Sequence, residues 1–314
     1  MSDAVDESTT EQRPSDVAEV SGADGADALP RTEDPQPAQE RREAAPTTRL
    51  VSLVLIGAAI GTWGTVCGIG GGLFAVPLLH YVYRLSLRES VATSLVLVAA
   101  TTSSATASEL LHEGAALHGP TVLCLIGASF VGARLGFRVA TRINPLHLKQ
   151  VFCVVLLFVA ARVISGERPT EQAGGIALFA DIGYGAMDYA TIVATGLCAG
   201  FVAPLLGVGG GLVAIPALVL LIEPLGYLGA RASSMAMSMF NAWLSISLYQ
   251  KIGGVRWCFG VWLAVGALVG GVVGVWAVHQ PGLVPIARTL LAVTLVFVSG
   301  RFAYDALRAG KAGH

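Results

Sequence analysis

The chain has 314 residues, 54% of them hydrophobic and 13% charged, with a mean hydropathy of +0.67. Soluble domains carry about 25% charged residues, so a protein made only of ordinary soluble domains is excluded. The formal charge of −1 is a cancellation: residues 1–49 hold 12 acids against 5 bases, and the remainder holds 9 acids against 15 bases.

Residues 1–49 are rich in Asp, Glu, Ala, Pro and Ser and contain no aromatic residue. Such a segment buries too little apolar area to offset its ordering entropy, and it is expected to be a disordered acidic cytoplasmic tail. It has neither the basic start nor the apolar core of a secretory signal. From Leu50 onward, apolar runs recur at the length that crosses a bilayer, roughly 20 residues. They fall at 50–66, 73–83, 90–112, 119–140, 146–165, 187–206, 212–223, 230–250, 257–279 and 285–305. The second and seventh are too short to cross upright. Each follows a glycine cluster, so each reads as part of a broken helix.

The chain repeats itself. "CGIGGGLFAVPLL" starts at Cys67 and "LGVGGGLVAIPAL" at Leu206, with Gly68 and Gly207, and Pro77 and Pro216, each 139 residues apart. "VATSL" from Val91 and "RASSM" from Arg231 lie 140 apart. Two halves of five segments follow: a membrane repeat over 50–165, a linker over 166–186, a second repeat over 187–305 and a short tail over 306–314. Five segments per half turn the second half over. Short cytoplasmic loops concentrate Lys and Arg. With the tail inside, 13 basic residues fall at inner ends, among them Arg84, Arg88, Arg138, Arg142, Lys251 and Arg256. Four fall at outer ends: Arg162, Arg168, Arg231 and Arg288. The expectation is an all-α polytopic membrane protein, two inverted-topology repeats with glycine-broken helices, in the plasma membrane with both termini cytoplasmic. Secondary transporters are often built this way, with the substrate near midplane.

The glycines suggest what is carried. In hydrocarbon, irregular backbone survives only against protein or a wet cavity. Gly68, Gly70, Gly71 and Gly72 in one half, and Gly207, Gly209, Gly210 and Gly211 in the other, expose N–H groups at the start of a helix, whose positive end attracts anions. The breaks are expected to line a cavity rather than a packed core. Thr93, Ser94, Ser233 and Ser234 recur at matched positions, as ligand contacts or as helix caps. Asn241 lies deeper, as an amide donor to an oxyanion or an interhelical tie. Arg231 reads as a loop residue at a mouth that attracts anions, and Arg134 as an isolated charge in mid-span. Gly132, Gly136, Gly266, Gly270 and Gly274 read as packing glycines. The hydroxyl run Thr101 to Ser108 reads as a polar wall. The five cysteines have no paired spacing and read as apolar fillers.

These residues resemble the TauE/SafE family. The resemblance rests on "GIGGGLFAVPLL" with "SVATSL" and "GVGGGLVAIPAL" with "RASSM", and covers about 50–305. It implies a transporter of sulfite, sulfonates or related organosulfur anions, not an enzyme. The second half departs from the family pattern by carrying Arg231 in "ARASSM".

Rival functions have weaker support. No phosphate loop ending in GK[ST] is present, so an ATP-driven pump is not indicated. "GASF" at Gly127 only faintly resembles the nucleophile turn of an intramembrane serine protease. A metal carrier requires His, Cys or carboxylate clusters in the spans, and none is evident. An anion channel remains the alternative to a carrier. The expected partners are a small anion and the lipid bilayer, with no cofactor, metal or nucleic acid.

Overall fold

A computed structural model describes residues 47–111, 117–142, 184–222, 225–280 and part of 282–304. The acidic tail up to residue 46, the expected span 146–165, most of the linker and residues 306–314 lie outside the described residues, and the span 285–305 is described only in part.

Eight helices are described in full: α1 (Thr47–Val66), α2 (Gly72–Pro77), α3 (Leu87–Leu111), α4 (Gly119–Ala140), α5 (Ala186–Leu206), α6 (Gly211–Leu221), α7 (Gly226–Gln250) and α8 (Trp257–Val278). A π-helical turn, Leu78–Val82, continues α2 past Pro77, where the proline cannot donate to the regular ladder. α3 opens on a reciprocal cap: Ser86 N–H donates to Glu89 Oε2 at 3.0 Å, and Glu89 N–H donates to Ser86 Oγ at 3.3 Å. α8 opens at Arg256, whose N–H donates to Thr93 Oγ1 at 3.1 Å. Thr93 is therefore a tie between α3 and the start of α8.

Five described helices are long and apolar enough to cross a membrane: Leu50–Cys67, Leu87–Leu111, Gly119–Ala140, Ala186–Leu206 and Trp257–Val278. Burial separates them. In α3 78% of the span is buried, against 33–50% in the other four. α3 is thus the central helix, and the others turn apolar side chains such as Leu55, Val131, Val193 and Val269 outward.

Glycines set how the helices pair. A Cβ on Gly132 would strike the Leu197 carbonyl, and one on Gly136 the Phe201 carbonyl. A Cβ on Gly270 would strike the Ala58 carbonyl, and one on Gly274 would come within 2.9 Å of the Thr62 carbonyl. These are the same contacts in the two halves, since Ala58 and Leu197 are equivalent, as are Thr62 and Phe201. The first helix of each half therefore packs on the fourth helix of the other, with backbones in close approach.

The pairs also fix direction. In α1–α8, Gly57 meets Leu263 and Gly61 meets Ala267, so the helices run parallel. Likewise Gly196 meets Leu125 and Gly200 meets Ser129 in α5–α4. Gly260 meets Val96 and Gly271 meets Thr101, so α8 runs with α3. Leu117 packs with Ala232 and Ala236, and Phe137 rests edge-on to Tyr249 at 5.1 Å, so α4 runs with α7. Between α3 and α7, Glu109 meets Arg231 and Ser103 meets Trp243, so they run antiparallel. Hence α1, α3 and α8 point one way and α4, α5 and α7 the other, so these three helices of one half oppose their counterparts in the other.

Candidate functional site

α1 ends at Val66 and α5 at Leu206, and each is followed by a glycine break. Gly68, Gly70 and Gly71 have φ of 76°, 77° and 83°; Gly207, Gly209 and Gly210, their counterparts, have 71°, 75° and 99°. All six lie in the left-handed region that side-chain-bearing residues rarely adopt. In the first break Ile69 and Gly70 both donate to the Gly64 carbonyl, at 2.8 and 3.1 Å. At the start of α2 the Phe74 and Ala75 N–H groups donate to the Gly71 carbonyl, and at the start of α6 those of Val213 and Ala214 donate to the Gly210 carbonyl; the two N–H groups ahead of each pair precede any intrahelical acceptor.

The two breaks lie on each other. A Cβ on Gly72 would strike the Gly207 carbonyl, and one on Gly211 would sit 2.6 Å from the Gly68 carbonyl. Adding 139 to one pair gives the other, so the breaks cross at the centre of the repeat. On these sides the breaks pack against protein. Gly68, Gly70, Gly71, Gly72, Gly207, Gly209, Gly210 and Gly211 are all buried, and a Cβ on Gly71 would meet the Ile60 carbonyl at 3.0 Å.

The side chains against this crossing come mainly from α7. Tyr227, Arg231, Ser234, Ser238, Asn241, Ser245 and Tyr249 recur at intervals of three or four residues on one buried face. The ends of this stripe are tied: Tyr227 Oη donates to the Val66 carbonyl at 3.1 Å and Tyr249 Oη to the Pro204 carbonyl at 2.7 Å. Asn241 Nδ2 donates to the Gly209 carbonyl at 3.4 Å, so its amide holds the second break. Between these anchors the hydroxyls of Ser233, Ser234, Ser238 and Ser245 are buried and have no hydrogen-bond partner among the described residues. Ser234 Oγ lies 3.2 Å from the Cβ position of Gly211, and the Ser238 Cβ the same distance from that of Gly209. An unpaired buried hydroxyl costs about 1–3 kcal/mol. Several in one line mark a place built for a polar occupant.

α3 behaves differently. Ser94 Oγ shares its one hydrogen between the Gly207 carbonyl at 3.0 Å and the Val91 carbonyl at 2.8 Å. Thr101 and Thr102 donate back to Leu97 and Val98 carbonyls at 3.0 and 2.7 Å. These three hydroxyls are spent on backbone, whereas Thr106 Oγ1 in the same run is buried with no hydrogen-bond partner among the described residues.

Arg231 is not a loop residue at a mouth. It lies inside α7, 1% exposed, and its Nη2 is 2.5 Å from Glu109 Oε2. Glu109 is 2% exposed and also lies 3.3 Å from His279 Nε2 through Oε1. Nε of Arg231 is buried and unpartnered, and the Arg231 Cγ lies 2.9 Å from the Cβ position of Gly68. Sequence reasoning passed over Glu109, Ser238, Ser245 and His279. The signal for the serines was present, as polar residues at helical spacing in an apolar span. Arg134 is exposed, with its guanidinium 4.6 Å from the centre of the Phe130 ring. Among the described cysteines, Cys67 is buried beside the first break, Cys124 half-buried, and Cys198 and Cys258 exposed.

Five described helices of membrane length define a multi-pass membrane protein, and paired helix breaks in two repeated halves are a feature common among transporters. The chain belongs to the TauE/SafE sulfite exporter family, whose "Sulfite exporter TauE/SafE" description matches residues 25–163 and 192–313. It is similar to "Probable membrane transporter protein YunE" of Bacillus subtilis (strain 168), at 24% identity over 82% of this chain and 98% of that protein. It is also 30% identical over 118 residues to "Probable membrane transporter protein MamO" of Magnetospirillum gryphiswaldense, covering 35% of this chain and 18% of MamO. No solved structure matches the chain significantly. The protein is a membrane transporter, not an enzyme.

Proposed function

We propose that the protein is a secondary transporter of sulfite or organosulfonate-type anions, set in the plasma membrane with both termini cytoplasmic. The anion is held where the glycine breaks cross, between the start of α6 and the α7 stripe. The observation that carries this reading is the pair of unpartnered buried hydroxyls, Ser234 and Ser238, on the face of α7 that meets Gly211 and Gly209. A bare oxyanion in such a place would cost tens of kcal/mol. Hydrogen bonds to a charged acceptor return about 1.5–3 kcal/mol each, and the start of α6 adds about half a positive charge. Arg231 adds the unpartnered Nε donor, while its charge is balanced by Glu109. The family description supports sulfur oxyanions as the class.

The test is a thermal-shift and binding screen of purified protein against sulfite, sulfate, thiosulfate, sulfonates and carboxylates, followed by uptake into vesicles. The reading expects a sulfur oxyanion to stabilise the protein more than carboxylates do, and labelled anion to exchange in saturable counterflow. Stabilisation by carboxylates alone overturns it, and flux without counterflow turns the carrier into a channel.

A further inference from the structure

Three ionisable side chains meet at one end of the α3–α7 pair, and the anion reading assigns no task to two of them. Glu109 comes from α3, Arg231 from α7, and His279 from the residue that caps α8. Among the described residues, Glu109 and Arg231 are the two buried side chains that carry a formal charge. The charged and titratable groups described as facing Glu109 are Arg231 and His279.

Hydrogen positions follow from the acceptors. His279 Nδ1 lies 3.0 Å from the Val275 carbonyl, which only accepts, so Nδ1 carries the hydrogen. In a neutral ring Nε2 is then a bare lone pair, and it faces the Glu109 carboxylate at 3.3 Å. Two acceptors at that distance repel unless a proton lies between them. With the proton, the cluster holds two positive charges and one negative. Without it, the cluster is neutral. A net buried charge is expensive, and one monovalent anion cancels it. The place for that anion is the unpartnered Nε edge of Arg231, beside Gly68.

We infer that the Arg231–Glu109–His279 cluster takes up the transported anion together with one proton, the anion on the Nε edge of Arg231 and the proton between His279 Nε2 and the Glu109 carboxylate. The inference rests on the anion reading above. The proton comes from water at that end of the bundle and leaves with the anion, so the step is electroneutral. The hydrogen-bonding Glu109 carboxylate raises the pKa of His279 above 6.5, against the opposing effect of burial, which brings its protonation toward neutral pH. The cluster stands at one end only. The counterparts of Arg231 and Glu109 are Val91 and Tyr249, which pack together in an apolar cluster.

The test is calorimetric titration of purified wild-type protein with methanesulfonate, which stays ionised throughout, and with sulfite, each in two buffers of different ionisation enthalpy. The titrations are run above the His279 pKa, where the anion-free ring is neutral, uptake of about one proton per anion is expected and affinity falls about tenfold per pH unit. H279Q keeps the ion pair and is expected to bind without the protein's proton; comparing it with wild type in the same buffer cancels the titration of sulfite itself. E109Q is expected to lose proton uptake as well, and H279Q carries the test if E109Q does not fold. Anion binding by wild type with no proton taken up, or H279Q taking up protons as wild type does, overturns the inference and leaves the anion reading standing. Failure of folded wild type to bind either anion overturns both.

Discussion

Ser94 and Ser234 hold the same place in the two halves, 140 residues apart, yet only Ser94 is satisfied. Its hydroxyl donates to the Gly207 carbonyl and pins the second break, whereas the Ser234 hydroxyl stands by Gly211 with no partner. A symmetric backbone therefore carries an asymmetric polar lining. Ser94→Ala should destabilise the anion-free protein by about 1 kcal/mol, because it strips a buried carbonyl of its donor. Ser234→Ala should leave anion-free stability unchanged or slightly higher and weaken anion binding by about tenfold or more, the equivalent of one hydrogen bond to a charged acceptor. Thermal unfolding with and without sulfite separates the two. Wild-type sulfite affinity in folded Ser234→Ala removes that hydroxyl from the site.

The glycines of the breaks are predicted to be structural as well as functional. Gly71 and Gly210 have φ of 83° and 99°, and an added Cβ would meet the Ile60 carbonyl at 3.0 Å and the Ala199 carbonyl at 2.7 Å. Backbone cannot move aside as a side chain can. Gly71→Ala and Gly210→Ala should each cost about 1–3 kcal/mol and reduce the yield of folded protein. Gly226→Ala is the control: its φ is 63° but nothing lies within 4 Å of the Cβ position, so only the smaller torsional cost applies. Equal stability for all three variants, by thermal unfolding in detergent, removes the steric part of this account.

What the sequence showed and what it hid divide along physical lines. Helix lengths and the two breaks were legible because apolar runs and glycine clusters are local signals. Doubling at 139 residues joined Gly68 to Gly207 without any contact being known. Which helices touch was not legible: the pairing of Gly132 with Leu197 and of Gly270 with Ala58 depends on how the halves interlock, and small residues alone name no partner. Arg231 was misplaced because Gly226 and Gly229, just before it, read as a loop, whereas the structure starts α7 at Gly226 and carries both within it. Glu109 was missed because a lone acid near a span's end looks solvated until the arginine 122 residues away is brought to it.

The opposed helix directions predict sidedness. α3 ends at Leu111 where α7 begins, and α7 ends near Lys251 beside the start of α3. The basic residues Arg84, Arg88, Arg138, Arg142, Lys251 and Arg256 gather at the end where α3 starts, which predicts that this end faces the cytoplasm. Leu111 is 86% exposed, and Lys251 is exposed. Cysteines introduced as Leu111→Cys and Lys251→Cys in a background without exposed native cysteines should react with an impermeant thiol reagent from opposite faces, Leu111→Cys from outside. Labelling of both from one face would sink the inverted arrangement in the bilayer.

The last prediction concerns pH and the fold. The pKa of His279 is raised in the folded protein, chiefly by hydrogen bonding to Glu109, and the unfolded chain returns it to about 6.5. A folded-state pKa above the unfolded one means that the folded protein binds the proton more tightly. The resulting stability is fully present below pH 6.5 and is lost as pH rises through the raised value. Wild type without anion should therefore melt at lower temperature as pH is raised from about 6 to about 9. H279Q, which has no proton to lose there, should show a flatter profile, and the two curves should converge at the alkaline end, where the wild-type ring is neutral. If the two proteins keep a constant separation across that window, the proton at His279 contributes nothing to the folded state.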